Sequence, residues 1–302
     1  MKTRILTFVL IFTAAASYAQ QDAQFTQYMY NTININPAYA GSRGVMSIFG
    51  LHRTQWVGLD GAPVTNTLSF NTPINESNVG IGISAINDRI GPTVENTISV
   101  DVSYTVQTSE TFKLSFGLKG TGNFFNLDAS QLNPEQAADP SLVNYNKFSP
   151  NLGAGVYLHS DKAYVGVSVP NFIQTNRYDS DNVAIFKERM NYYFIGGYVF
   201  DLSPDIKFKP AVLTKLVTGS PLQVDASANF MFYEKFVIGG AYRWDAAVSL
   251  LAGFQITDGL YLGYGYDMET TKLKKYNSGS HEVFLRFELF NNYNKIVSPR
   301  FF

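Results

Sequence analysis

The chain has no cysteine among its 302 residues, which excludes disulfides, thiolate metal sites and a lipoprotein anchor. Histidine is almost as scarce: His52, His159 and His281 are the whole supply, and they are too widely separated to suggest an imidazole-based zinc centre. Charged residues amount to 16%, against roughly 25% in an average soluble domain. The formal charge is −1, so there is no basic field of the kind that nucleic-acid binding needs. Long hydrophobic runs are missing too, since none approaches the roughly 20 residues of a membrane-crossing helix. No serine sits in a nucleophile-elbow pattern, and no glycine-rich loop follows a strand and opens a helix. The expectation is a chain that is not an enzyme, with no cofactor and no metal.

Aromatic residues, by contrast, are abundant at 15%, with 24 Phe and 19 Tyr, while mean hydropathy is −0.05. Phe and Tyr favour pleated, half-buried surfaces. A chain that is aromatic-rich and charge-poor yet not oily overall suits a β wall with one apolar face and one wet face. The first residues read as a signal peptide. Lys2 and Arg4 form a positive start, Ile5 to Phe12 an apolar stretch, and Ser17-Tyr18-Ala19 a small-residue cleavage site.

From residue 45 onward the dominant pattern has period two. Ile98, Val100, Val102, Tyr104 and Val106 oppose Thr97, Ser99, Asp101, Ser103 and Thr105. Val224, Ala226, Ala228 and Phe230 oppose Asp225, Ser227, Asn229 and Met231, and Val283, Leu285, Phe287 and Leu289 oppose Glu282, Phe284, Arg286 and Glu288. Fourteen such segments are expected, near 45–57, 64–74, 79–87, 94–106, 112–124, 151–159, 163–170, 190–200, 206–216, 222–232, 235–243, 247–256, 260–268 and 281–289. Most reach the roughly 9–11 residues that a tilted strand needs to cross a bilayer. An even number of antiparallel strands closes without an edge. Every second connection is short, as in Ser160-Asp161-Lys162 and Thr257-Asp258-Gly259, whereas the longest, about 125–150, 171–189 and 269–280, fall in the other set. Transmembrane barrels have short periplasmic turns and longer outside loops. This all-β pattern predicts a transmembrane antiparallel β-barrel in a bacterial outer membrane, with both termini in the periplasm and its apolar faces on outer-membrane lipid.

The expected organisation is a signal peptide at 1–19, a periplasmic or lumenal segment at 20–44, the barrel at 45–290 and a periplasmic tail at 291–302. Asp101, Asp225, Glu282, Arg286 and Glu288, with Lys113, Lys119, Lys207, Lys209 and Lys215, are expected to face the lumen as a charge network. Tyr261, Tyr264, Tyr266, Trp56 and Trp244 are expected at an aromatic girdle. Glycines inside strands, such as Gly80, Gly82 and Gly155, are expected to ease curvature or close packing in the wall. Two segments fall outside the alternation. Residues 20–44 carry Phe25, Tyr28, Tyr30, Asn36, Pro37 and Tyr39, and the tail ends in Arg300, Phe301 and Phe302. They are expected either tucked into the lumen or packed under the barrel, and at the periplasmic side they are also available to partners.

The same segments carry a resemblance. QFTQYMYNTININPAYAGSRG followed by HRTQWVGLDGAPVTNTLSFNTPI, with the ending GSHEVFLRFEL and SPRFF, resembles the PorP/SprF family of outer-membrane proteins. The family implies an accessory role in type IX protein secretion and gliding motility. Its members serve either the core translocon on its periplasmic side or one large secreted adhesin, exported and held at the cell surface through a C-terminal sorting domain. The competing expectation is a channel for hydrophobic compounds of the FadL kind, which also uses fourteen strands.

Overall fold

The computed structural model describes residues 28–74, 77–131, 144–174 and 189–289. Residues 1–19, expected to be a signal peptide, Phe25, and the tail with Arg300, Phe301 and Phe302 lie outside the described residues. Fifteen strand segments follow one another: β1 (Met46–Thr54), β2 (Val64–Pro73), β3 (Val79–Ile90), β4 (Thr93–Gln107), β5 (Lys113–Leu127), β6 (Tyr145–His159), β7 (Ala163–Val169), β8 (Asn191–Tyr198), β9 (Phe200–Ser203), β10 (Ile206–Val217), β11 (Gln223–Phe232), β12 (Phe236–Arg243), β13 (Ala247–Gln255), β14 (Leu260–Glu269) and β15 (Ser280–Leu289). β8 and β9 both pair with β10 and are one wall strand, interrupted at Val199 where Pro210 of β10 lacks the N–H the ladder needs. The wall therefore has 14 strands, as the alternation predicted.

Each strand pairs antiparallel with its neighbours in sequence, and the last closes on the first, from Met46↔Leu289 to Thr54↔His281. Closure removes both sheet edges, so the backbone of the wall is satisfied without water, which lipid requires. The two faces follow the sequence parity. Leu68, Ile83, Ile98, Val100, Leu118, Leu152, Val165 and Leu250 are exposed outward, while Ser99, Asp101, Ser103, Lys119, Asp225 and Glu282 are buried inward. Toward the turn end of the wall the outward aromatics meet one another: Tyr198 and Phe200 centroids lie 4.6 Å apart, and Phe208 and Phe230 4.8 Å. Replacing Leu118, at mid-height of this apolar band, by Arg should cost about 2–4 kcal/mol of folding free energy in vesicles. A urea titration of the folded fraction reads this; an unchanged midpoint would mean that the residue does not face lipid.

Two details depart from the sequence expectation. β5 and β6 run to Leu127 and back from Tyr145, so the loop between them is 128–144 rather than 125–150. β4, β5 and β6 have 15 residues each, more than a bilayer crossing needs, and their upper parts stand clear of lipid. There nothing demands apolar alternation, and Asn146, Lys147 and Pro150 hide the strand. Tyr261 is the second departure. It shares the inward parity of Asp267 and is buried in the lumen, not in the girdle; Tyr264, Trp244 and Tyr242 are exposed outside.

The wall has a turn end, with connections 108–112, 160–162, 204–205, 233–235 and 256–259, and a loop end with 55–63, 128–144, 170–190 and 270–279. Three loop-end connections, 91–92, 218–222 and 244–246, are short.

Candidate functional site: a lumenal plug

Residues 28–44 do not lie under the barrel. They fill the turn-end half of its lumen. The segment folds as two 3-10 turns, Thr32–Asn34 and Pro37–Tyr39. Pro37 opens the second turn, where its missing N–H would have had no partner anyway. Asn36 caps that turn: its Oδ1 accepts from the Ala38 N–H at 3.0 Å. Gly41 and Gly44, both at positive φ, lead the chain out to β1.

Asn36 also reaches the wall, donating from Nδ2 to the Val156 carbonyl at 3.1 Å. Its side chain lies in a notch formed by Gly155 and Gly166, where an added Cβ would overlap it. Gly117, the registered partner of Gly155, leaves similar room for the Pro37–Ala38 backbone. Gly80 and Gly82 do the same for Ala40 and Ile33. The glycines read from the sequence as relief of curvature or close packing in the wall thus include the seats of the plug. Asn36→Ala removes the cap of the second turn and its bond to the Val156 carbonyl, a loss of about 1–2 kcal/mol. Amide exchange across residues 28–44 should accelerate about tenfold or more; equal exchange in both proteins would show that Asn36 does not hold the plug.

Polar wall groups complete the seat from many strands. Ser69 (β2) donates to Asn31 Oδ1 at 2.8 Å, Ser103 (β4) to the Ala40 carbonyl at 2.7 Å, and Ser168 (β7) to the Ile35 carbonyl at 2.7 Å. Lys119 (β5) donates to the Ile33 carbonyl at 3.2 Å while paired with Asp101 (β4) at 2.9 Å. That ion pair is a directly registered cross-strand pair, so it braces wall and plug together.

The far side of the plug is aromatic. Tyr30 stacks on Tyr261 at 5.6 Å and packs on Phe284 at 4.8 Å, with its hydroxyl 3.3 Å from that of Tyr261. Lys209 and Arg286 approach the Tyr30 ring, at 5.5 and 5.9 Å from its centroid. Burial raises the phenol of Tyr30 above its ordinary range, against the opposing pull of the Tyr261 bond and the Arg286 charge. Burial raises Tyr28 likewise. Both rings are therefore neutral anchors. Tyr39 meets Tyr157 edge-on at 5.7 Å, and Arg43 bonds the Tyr39 hydroxyl and pairs with Glu288.

Above the plug the lumen holds buried charge groups: Arg53–Glu282 and Arg243–Asp225 are registered cross-strand pairs, and Asp267, one strand further on, joins the first. Arg53 binds Asp267 at 2.7 Å and Glu282 at 3.0 Å, all three almost fully buried. Arg243 binds Asp225 at 2.6 Å. The charge network expected in the lumen is present, with Lys113 exposed at the turn end and Lys207 paired with Glu234 there. Among the described residues no group of three His, Asp or Glu gathers as a metal site.

Of the residues that the sequence singled out for partners, Tyr28, Tyr30, Asn36, Pro37 and Tyr39 come together inside the barrel against the chain's own wall. Met29, Ile33, Gly117 and Gly166 belong to the same site and were not singled out. The available signal was glycine at inward parity on neighbouring strands.

A closed wall with a lipid-facing apolar band and a filled lumen defines an outer-membrane β-barrel with an internal plug. Solved structures of similar shape are outer-membrane barrels as well. The CymD monoaromatic hydrocarbon channel is 14% identical, with a TM-score of 0.51, over 89% of this chain and 94% of its own. Omp33 of Acinetobacter baumannii is 8% identical over 81% and 98%, TM-score 0.48, and a Pseudomonas aeruginosa FadL homologue 12% over 82% and 89%, TM-score 0.43. At these identities the likeness is one of fold, and CymD carries it. No curated protein sequence matches the chain. The family of type IX secretion system membrane proteins PorP/SprF matches residues 17–287, and the chain belongs to it.

Proposed function

We propose that this barrel is a non-catalytic accessory of type IX secretion that supports export of a partner adhesin and holds it at the cell surface. The observation that carries the reading is the plug. A lumen filled by residues 28–44, bonded to strands all round the wall, makes the barrel a platform rather than a conduit. On the loop-length rule, the turn end and both termini face the periplasm and the long loops face outward. The loop end then offers 128–144, 170–190 and 270–279 to the adhesin's C-terminal sorting domain. Contact with the translocon or other periplasmic components falls to Phe25, Arg300, Phe301 and Phe302, which lie outside the described residues, and Tyr28, Tyr30, Asn36, Pro37 and Tyr39 are the inner anchor of the N-terminal segment.

The alternative, a channel for hydrophobic compounds, draws on the N-terminal segment inside the lumen. Against it stands the filling of that lumen: its apolar side chains, Tyr30, Tyr261 and Phe284 among them, are packed on one another, and Asp101, Lys119, Asn229 and Glu282 are buried among the remaining inward positions. Deleting the gene and labelling surface adhesins decides between them. Loss of one adhesin from the surface is expected, with full recovery on complementation. Unchanged display together with lost uptake of a hydrophobic compound would overturn the reading.

A further inference from the structure

The outer face of the wall is not uniform around the barrel. On β14, β15 and β1 to β4 the apolar outward column is interrupted near the loop end by a row of hydrogen-bonding side chains, with Val64, Val94 and Met268 above it. His52 bonds Asn66 at 2.8 Å and Thr54 at 3.1 Å, and Asn87 bonds Asn96 at 2.8 Å. These residues are registered neighbours across four strands, His52↔Asn66, Asn66↔Asn87 and Asn87↔Asn96. The row continues the other way, where Tyr264 meets His281 at 2.6 Å. Directly below it lie exposed Leu68 and Ile98, with Ile83 one outward position further down, and Val283 stands level with His52. Across the barrel, the loop-end positions are instead Leu216, Tyr242, Trp244 and Val248, which suit an ordinary aromatic and apolar boundary.

Around this strip exposed cations outnumber exposed acids, with Asp60 of the β1–β2 loop as the acidic exception. Arg89 stands exposed one outward position above Asn87. The loop joining β14 to β15 presents Lys272, Lys274 and Lys275, all exposed. No acidic residue occupies an outward position on these six strands; Asp88, Asp101, Asp267 and Glu282 all take the inward parity. Amides and imidazoles directly above an apolar band, flanked by cations, match an anionic amphiphile whose chains lie on the band and whose head carries hydroxyls and phosphates. The continuity of the strip with the lipid-facing surface decides for a lipid over a protein.

We propose that this six-strand strip is a binding site for a phosphorylated glycolipid of the outer leaflet, with acyl chains on Leu68, Ile83 and Ile98. The Asn66–Asn87–Asn96 row receives its sugar hydroxyls, and Arg89 and the three lysines its phosphates. The leaflet assignment rests on the orientation given under the proposed function; the strip and its chemistry do not.

The test uses the full-length protein purified in detergent, with lipid A as the probe and native mass spectrometry as the readout. Wild type is expected to retain lipid A through detergent exchange. The variant R89Q/K272Q/K274Q/K275Q, altered only at exposed positions, is expected to lose retention about tenfold, as is N66L/N87L/N96L, and dephosphorylated lipid A is expected to bind wild type as weakly. Heat-modifiable mobility on gels confirms that each variant is folded. Equal retention by all proteins overturns the proposal, and so does a photo-crosslinker at Asn87 that captures a protein in cells in place of glycolipid. Tyr276→Cys labelling on intact cells reads the orientation separately: labelling only after outer-membrane permeabilisation would refute the leaflet, whatever the detergent result.

Discussion

Gly117→Val is expected to turn a closed barrel into a conducting one. The Cβ of any residue at 117 would fall on the backbone of Pro37 and Ala38, and backbone cannot swing aside as a side chain tip can. Valine adds two further methyl groups at the same point. Overpacking of this kind costs about 1–3 kcal/mol. That is small beside the roughly 5–15 kcal/mol of a folded domain, and the wall ladders do not pass through the plug. The cheaper response is for residues 28–44 to leave their seat while the wall stays closed. An eight-stranded barrel is filled by its own side chains, whereas barrels of 16–18 strands leave an aqueous channel. A wall of 14 strands without its plug lies nearer the second case. Planar-bilayer recordings should therefore show steady conductance in the variant and almost none in wild type. A variant that folds, stays closed and keeps residues 28–44 protected from exchange would refute the role given to Gly117.

The second large effect concerns Arg53. Its guanidinium neutralises Asp267 and Glu282, with all three side chains at or below 3% exposure. Arg53→Met removes the cation and leaves two carboxylates facing one another in a site with almost no access to solvent. Breaking a buried pair from one side costs about 3–5 kcal/mol, because the remaining charge is uncompensated. The urea midpoint for unfolding from vesicles should drop accordingly. The triple variant R53M/D267N/E282Q removes both signs at once and should recover most of the loss, since a neutral, well-packed replacement of a buried ion group is often close to neutral in stability. Failure of the triple variant to recover would mean that Arg53 acts through shape rather than charge.

The legibility of the fold came from a local rule. A strand between lipid and a polar lumen must alternate, so segments such as 97–107 and 282–289 announced both their extent and their inward side. Prediction weakened where that pressure stops. The stretch 145–150 rises above the lipid and so loses the alternation that marks a strand, and Tyr261 resembles a girdle residue in its side chain while its parity points inward. Of the candidate site, Tyr28, Tyr30, Asn36, Pro37 and Tyr39 were legible as residues that break the barrel pattern and therefore need another role. What they touch was not legible.

The scarcity of charge, the absence of cysteine and the period-two pattern together determined a lipid-facing β-barrel with about fourteen strands, because each face of each strand reports its solvent residue by residue. Whether that barrel was open or filled lay beyond any such local signal. The plug's partners come from strands scattered along the whole chain: Tyr30 meets Tyr261 across 231 positions, and Asn36 meets Val156 across 120. Pairing of β5, β6 and β7 brings Gly117, Gly155 and Gly166 together as one notch around Pro37 and Asn36, and only closure of the wall sets Tyr261 and Phe284 across from it to hold Tyr30. The tertiary structure decided the seat because the seat is not complete until β15 pairs with β1.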